Sequence, residues 1–219
     1  MSGDDFSYLV SALPFLLRGL LLTVQVTLVS FAIALVVGLP VFLGSVSGNK
    51  LTRSVSRAYV TAVRNTPLLA QLYLYFFLLA SYGILLPPLV AGILALSTQF
   101  SAYVAEAYRG AYESVPPGQW EAAISVGLRR WPTLFLVAGP QAIRPALPVL
   151  ANILIQMLKD SSVLSVITLT EVFGATKELA NQSFQYTILY LTLGLLYLAV
   201  SYPWGRATAW LERRLGTFN

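Results

Sequence analysis

Long stretches without charge dominate this sequence. No residue carries a charge from Gly19 to Asn49, from Asn65 to Ala105, or from Leu179 to Gly205. An α-helix needs about 20 apolar residues to cross the hydrocarbon core of a bilayer, so each stretch is long enough for at least one crossing. A soluble chain rarely lacks charges over such lengths, because its surface must stay hydrated. The sequence therefore predicts a membrane protein built from spanning helices.

The composition agrees with this prediction and excludes several kinds of chemistry. The 219 residues are 57% hydrophobic and 11% charged, and the mean hydropathy is +0.71. Because there is no cysteine and no histidine, disulfides, thiolate sites and imidazole-based metal sites or catalysis are excluded. The net charge of +5 does not indicate nucleic acid, since the basic residues lie between apolar stretches rather than on one amphipathic face. We expect no nucleic-acid partner, no metal site and no cofactor on this chain.

Prolines and charged residues divide the apolar stretches into five predicted spans. Pro87-Pro88 interrupts the second stretch, because proline cannot continue a helical hydrogen-bond ladder. The predicted spans cover approximately residues 14–46, 57–84, 88–110, 145–163 and 183–206. Residues 131–144 are predicted to form a separate helix near the membrane surface. With no internal repeat and no low-complexity linker, residues 1–219 are predicted to form a single domain.

The distribution of basic residues predicts the orientation of these spans. One side of the predicted topology holds Lys50, Arg53, Arg57, Arg64, Arg109, Arg129, Arg130, Arg144, Arg206, Arg213 and Arg214. The other side holds only Arg18 and Lys177. Because loops rich in lysine and arginine stay in the cytoplasm, we expect the N-terminus outside and the C-terminus inside. The predicted fold class is an all-α integral membrane protein with five transmembrane helices.

A polar segment between the third and fourth predicted spans carries a motif with fixed spacing. Glu121-Ala122-Ala123 is followed by Gly127, then by Val137, and then by Gly139-Pro140. This pattern resembles the EAA loop of ATP-binding-cassette (ABC) importer permeases, which reads EAA-x3-G-x9-I-x-LP. Every spacing agrees, with Val137 at the isoleucine position and Gly139 at the leucine position. On the predicted topology this segment lies in the cytoplasm.

Further segments are similar to the polar amino-acid subfamily of these permeases. They read RNTPLLAQL from Arg64, SAYVAEAYRGAYESVPPGQWEAA from Ser101, GPQAIRPALP from Gly139 and KDSSVLSVI from Lys159. The resemblance covers nearly the whole chain and implies the type I ABC importer permease fold. It also implies a location in the cytoplasmic (inner) membrane of a bacterium or archaeon, where the chain crosses the lipid several times and moves polar L-amino acids into the cell.

The resemblance implies a set of partners as well. Two permease subunits, identical or paralogous, would frame one path, and an extracytoplasmic binding protein would deliver the amino acid. Two ATPase subunits would sit beneath them. This chain has no G-x4-G-K-[ST] loop, so ATP and Mg²⁺ are expected on the partner ATPase and no catalysis is expected here.

Residues 117–128 are predicted to form the cytoplasmic coupling helix that docks on the ATPase. Pro117 suits a first helical turn, and Gly127 permits a sharp exit. Small alanines leave room for a partner surface, and arginines can pair with acidic groups or lipid phosphates. The predicted ATPase-coupling residues are Glu121, Ala122, Ala123, Gly127, Arg129 and Arg130. Taken alone, the segment fits a membrane-surface helix equally well, and the other motifs favour docking.

Polar residues within or beside the spans are candidates for the translocation path, because ionisable groups in a membrane are costly and often functional. The resemblance places the segment that begins at Lys159 beside the path, at the extracellular end of the fourth span. Thr61 stands where relatives often carry an acidic residue, which weakens the case for a strongly cationic substrate. The predicted path residues are Lys159, Asp160, Ser161, Gln99, Arg64 and Thr61. Structural pairs and interhelical hydrogen bonds are the alternative for each. Glu106 and Arg109 are predicted to form an ion pair.

Two other classes of protein fit a helical membrane chain. An ion-coupled secondary transporter usually has an inverted repeat, and five spans do not divide into equal halves. An intramembrane enzyme needs a catalytic group, and the sequence shows no convincing serine nucleophile arrangement. The ABC permease subunit is therefore the favoured interpretation, with the secondary transporter as its alternative.

Overall fold

A computed structural model describes the backbone of residues 3–215 and the side chains of residues 7–215. This part of the chain is helical and contains no β-strand, which confirms the predicted all-α class. The helices are α1 (Gly3–Ser45), α2 (Lys50–Arg64), α3 (Leu68–Ser81), α4 (Pro88–Glu113), α5 (Pro117–Ser125), α6 (Arg130–Ile167), α7 (Val172–Ser183) and α8 (Tyr186–Leu215).

Four of the described helices are long and apolar enough to cross a membrane by themselves: α1, α4, α6 and α8. The second predicted span, 57–84, is instead divided into α2 and α3. The division falls at Pro67, which has extended backbone angles (φ −56°, ψ 140°) and cannot donate a helical hydrogen bond. The apolar piece α3 covers only Leu68–Ser81, which is shorter than the roughly 20 residues of a full crossing.

The prediction of a separate helix over residues 131–144 is wrong. Helix α6 runs without interruption from Arg130 to Ile167, and its last turns, Ser161–Ile167, are of the 3₁₀ type. Ahead of Pro140 the helix widens into a π-helical segment, Thr133–Ala138. A wider turn at this point accommodates a proline ring without ending the helix. The prolines of this region therefore shape a long helix rather than break it.

Helix α4 lies at the centre of the molecule. In the most apolar 18-residue stretch of α4, 61% is buried inside the protein, compared with 17% in the corresponding stretch of α8. Helix α1 packs along α4, and the two approach closely at Gly38, where a Cβ atom would lie 2.7 Å from Cγ1 of Val104. Small residues at helix crossings allow such contact between membrane helices. The central core includes Val26, Leu72, Leu96, Phe100, Val104, Met157 and Leu164.

A buried carboxylate fastens α7 to α1. Glu171 is fully buried and caps α7 by accepting hydrogen bonds from the backbone N–H groups of Phe173 (2.9 Å) and Gly174 (2.8 Å). Thr23 of α1 donates its hydroxyl to Oε2 of Glu171 at 3.3 Å and accepts the N–H of Val172 at 3.1 Å. Glu171 lies between the spans α6 and α8, and burial raises the pKa of its carboxyl group to about 7.

Candidate functional site

The predicted coupling segment folds as a short helix with a defined start and end. Helix α5 begins at Pro117, which lies in its first turn as predicted. It ends in a Schellman motif: the N–H of Gly127 binds the carbonyl of Ile124 (2.9 Å), and the N–H of Leu128 binds that of Ala123 (3.0 Å). Gly127 has a φ of +82°. The prediction that this glycine permits a sharp exit is therefore confirmed.

The outward face of α5 is exposed and chemically mixed. Glu121 and Ala122 are both exposed. Ile124 is 66% exposed and Val126, just beyond the helix, is 77% exposed. We call these four residues the outward face. A carboxylate beside two large apolar side chains suits contact with another protein better than contact with water alone.

The opposite face of α5 packs against the rest of the chain. Ala123 is only 4% exposed, so its small side chain makes room for intramolecular packing rather than for a partner. The ring of Trp120 lies 4.8 Å from that of Tyr112 in α4, and Tyr112 lies 5.8 Å from Phe42 in α1. This aromatic row connects α5 to the cytoplasm-directed ends of two spans on the predicted topology.

The two arginines after α5 differ in their surroundings. Arg129 is exposed and precedes α6 in an extended conformation. Arg130 donates from Nη2 to the carbonyl oxygen of Val46, between α1 and α2. Arg130 thus ties the start of α6 to the end of α1. Arg129 remains on the surface, where it is accessible to an acidic group.

The group of residues around Lys159 lies at the other end of α6. Lys159 is exposed, and Asp160 is partly exposed and accepts a hydrogen bond from Nε2 of Gln156 at 2.8 Å. Ser161, predicted to border the path, is instead fully buried and donates to the carbonyl of Leu158 at 2.8 Å. Its hydroxyl is used where the helix changes to 3₁₀ geometry. Lys159 and Asp160 are therefore the accessible members of this group.

Gln99 belongs to an interhelical network beside the break between α2 and α3. Its amide meets that of Gln71, and both side chains are buried. Nε2 of Gln71 also lies 3.0 Å from the carbonyl of Val63 and 3.1 Å from that of Thr66. Val63 is four residues before Pro67, so its carbonyl lacks the usual donor four residues on and accepts only a long backbone bond from the N–H of Thr66, at 3.3 Å. The sequence signal for Gln71 is a polar side chain one turn after that proline.

Arg64 and Thr61 share a cleft of about 620 Å³ between α2 and α4, together with Arg57, Tyr103, Glu106 and Arg109. Neither Gln99 nor Lys159 lines it. The predicted ion pair between Glu106 and Arg109 is confirmed, with 2.7 Å between Oε2 and Nη2. Arg109 also binds Glu113 at 2.8 Å, whereas Arg64 is 3.5 Å from Glu106.

No group of three or more acidic, histidine or cysteine side chains that could hold a metal ion occurs in the described residues. The structure thus separates the predicted site residues into four places. The coupling residues lie on or beside α5, and the path residues lie in the cleft beside α2, in the buried amide network of Gln99, and at the end of α6.

Comparison with known proteins gives a consistent result. Residues 36–217 match the family of binding-protein-dependent transport system inner membrane components. The chain is 38% identical to a probable amino-acid ABC transporter permease protein of Sinorhizobium fredii, across 91% of this chain and 86% of that protein. It is 33% identical to the L-cystine transport system permease protein of Bacillus subtilis, across 94% and 88% of the two chains. It is 30% identical to the glutamine transport system permease protein of Escherichia coli, across 96% and 97%.

Solved structures agree with these relatives. A crystal structure of an amino acid ABC transporter with histidines matches with a TM-score of 0.92 and 33% identity, across 98% of this chain and 100% of that one. An inward-facing methionine ABC transporter matches with a TM-score of 0.76 at 20% identity, across 98% and 99%. The second similarity concerns the fold alone.

Proposed function

The chain belongs to the family of binding-protein-dependent transport system inner membrane components, and on this premise we propose that it is the transmembrane permease subunit of an ABC importer for polar amino acids. It is a multi-pass membrane protein without catalytic activity of its own, because ATP hydrolysis in this family belongs to a separate subunit. The observation that carries the proposal is the outward face of α5. This face presents Glu121 and Ala122 of the EAA motif on an exposed helix that is fixed at both ends.

In the proposed complex, two ATPase subunits hold ATP and Mg²⁺, and each receives one α5 helix. A second permease, identical or paralogous, completes the path, and a binding protein outside the membrane delivers the amino acid. Closure of the ATPases moves α5, and the aromatic row from Trp120 to Phe42 and the bond from Arg130 to Val46 pass this motion to α1 and α4. Transport then follows from the different affinities of the partners for the two states.

The proposed topology has five crossings of the cytoplasmic membrane of a bacterium or archaeon. Four are α1, α4, α6 and α8, and the fifth is formed by α2 and α3 together. The N-terminus lies outside and the C-terminus inside, which places α5 in the cytoplasm and α7 outside. The α2–α3 break then lies within a crossing, where buried amides satisfy the backbone groups that it frees.

The proposed path runs between two pairs of accessible polar residues. Lys159 and Asp160 border its extracellular end, and Arg64 and Thr61 lie toward the cytoplasm. Gln99 stabilises the helices between them through its contact with Gln71. The ion-coupled alternative loses its support, since the relatives in sequence and in structure are components of ABC transporters.

Reversal of the exposed charge on α5 tests this proposal. The variant Glu121→Lys is made in the tagged permease, which is purified with its ATPase and reconstituted with the binding protein. A reversed charge at a docking face costs several kcal/mol, so we expect the ATPase to be lost from the purified complex and uptake to fall at least about tenfold. The matched control is Glu178→Lys, which reverses an exposed carboxylate on α7. It is expected to leave both measurements unchanged.

Two results together would contradict the proposal. One is purification of the wild-type chain without any nucleotide-binding subunit. The other is unchanged uptake in Glu121→Lys. If Glu121→Lys loses the stimulation of ATP hydrolysis but still binds substrate, the proposal is supported. In that case the coupling to the ATPase is broken while the translocation path remains.

A further inference from the structure

The cleft beside α2 has an excess of positive charge. Among the described residues, three guanidinium groups line it, those of Arg57, Arg64 and Arg109, and Glu106 is the only carboxylate, which gives these four groups a net charge of +2. Glu106 is largely committed to Arg109, through contacts of 2.7 and 3.0 Å. Arg109 also binds both oxygens of Glu113 at 2.8 Å, outside the lining. With Glu113 included, these five groups carry a net charge of +1, and both carboxylates lie closer to Arg109 than to Arg64.

Arg57 and Arg64 stand on one face of α2 with a hydroxyl between them. Arg57, Thr61 and Arg64 are spaced i, i+4 and i+7, the spacing that aligns side chains along one side of a helix. Arg57 makes no hydrogen bond or ion pair within the described residues and is exposed. Thr61 is exposed as well. The row thus presents two guanidinium forks and one hydroxyl donor to the cleft.

The guanidinium group of Arg64 is held in place while its N–H donors remain available. It lies over the ring of Tyr103, with 5.1 Å from Cζ to the ring centroid. Its contact with Glu106 is long, at 3.5 Å. Stacking on an aromatic face fixes the plane of the group and leaves the N–H donors at its edge available. Planar N–H forks match the paired oxygens of carboxylate and phosphate groups.

We propose that this cleft is a binding site for an oxyanion, a carboxylate or phosphate group held by Arg57 and Arg64. Two sources share this chemistry: a small anion in the solution that fills the cleft, and the phosphate of an anionic lipid headgroup. Arg64 and Thr61 also belong to the proposed path, so a free carboxylate at this site rests on the transport proposal, whereas a lipid headgroup does not. Failure of the thiol test below would remove the site alone, because the Glu121→Lys experiment decides the transport function separately.

The absence of cysteine from the chain makes a direct test possible. A single thiol is introduced by Thr61→Cys in the assembled transporter, in phosphatidylcholine nanodiscs at 0.15 M salt, where charges act over about 8 Å. Its labelling rates by a negatively charged and a positively charged methanethiosulfonate are compared by mass spectrometry of this subunit. We expect the anionic reagent to react faster, and the ratio of the two rates to fall about fivefold or more for Arg57→Gln and again for Arg64→Gln.

Protection of the thiol separates a binding site from a merely positive surface. Millimolar inorganic phosphate or acetate is expected to slow labelling relative to chloride at equal ionic strength. The variant Arg64→Lys should keep the preference for the anionic reagent but lose much of this protection, because lysine has no planar fork. The control Arg53→Gln removes a charge from the same helix outside the cleft lining. It should preserve the protection.

The membrane composition identifies the source of the anion. Protection by phosphate or acetate in phosphatidylcholine discs would support a site for a free anion. Protection only in discs that contain phosphatidylglycerol would support a site for a lipid headgroup. The proposal is overturned if neither condition protects the thiol, or if the anions protect it as well in the Arg57→Gln and Arg64→Gln variants as in the Thr61→Cys parent.

Discussion

Substitution of Gly127 by alanine isolates the backbone requirement of the coupling helix. Gly127 has a φ of +82°, and no atom lies within 4 Å of the position that a Cβ atom would take. An added methyl group therefore meets open space in the isolated chain. The remaining effect is the strain of an L-residue in the left-handed region, which costs about 1–2 kcal/mol.

This strain falls on a helix that has little stability of its own. Helix α5 has 9 residues, and isolated helices shorter than about 12 residues are marginal in water. Its end depends on the hydrogen bonds from Gly127 to Ile124 and from Leu128 to Ala123. A penalty of about 1–2 kcal/mol lowers the population of the closed turn roughly 5- to 30-fold relative to open forms.

The assay is binding-protein-stimulated ATP hydrolysis and amino-acid uptake in proteoliposomes. We expect Gly127→Ala to lower both several-fold while the thermal unfolding midpoint of the spans stays unchanged. Gly127→Asn should lose less, because asparagine tolerates the left-handed region better. The matched control is Gly118→Ala, which adds a methyl group to the same helix in open space at a position without positive φ.

Two outcomes would refute this reasoning. Full activity of Gly127→Ala would show that the Schellman turn is not needed for coupling. Equal losses in Gly127→Ala and Gly118→Ala would show that the added methyl groups meet a partner surface, so that steric contact rather than backbone strain is responsible.

Three further perturbations test the packing. Gly38→Ala places a Cβ atom 2.7 Å from Val104 Cγ1, so it should destabilise the α1–α4 contact by about 1–3 kcal/mol in thermal unfolding, whereas Gly194→Ala, in open space, should not. Gln71→Leu removes the buried side-chain donor to two partly buried carbonyls and should cost about 1–3 kcal/mol, while an unchanged midpoint would argue against that role. Because burial raises the pKa of Glu171 to about 7 from 4.5, the folded state binds more protons between these values, and the stability that this carboxyl contributes is full below about pH 4.5 and lost as the pH rises to about 7. The difference is up to about 3 kcal/mol, and a chain carrying Glu171→Gln should not show it.

The local features of the coupling segment were predictable because short-range physics decides them. Proline is favoured in the first turn of a helix, and glycine is favoured where φ is positive. These rules place the start of α5 at Pro117 and its turn at Gly127, as the structure has them. The ion pair of Glu106 with Arg109 follows from helical spacing in the same way.

Other features could not be read from local patterns. A proline either breaks a helix or is absorbed by it, and the outcome depends on what satisfies the freed carbonyl. At Pro67 the helix breaks, and Gln71 from the next turn reaches the open carbonyls. At Pro140 a π-helical turn absorbs the ring, and α6 continues. The sequence carries the prolines but not this difference.

The long uncharged stretches determined by themselves that this chain is a helical membrane protein, because only closed hydrogen-bond ladders are stable in lipid. The EAA motif and the other similar segments of the chain indicated the family in the same direct way, since motif spacing is a property of sequence. Which faces meet was decided only by the tertiary structure. Burial of Ala123 and Ser161, the hydrogen bond from Thr23 of α1 to Glu171, and the approach of Arg109 to the two arginines of α2 depend on contacts between residues far apart in the chain. Packing between helices sets such contacts, and no local periodicity encodes them.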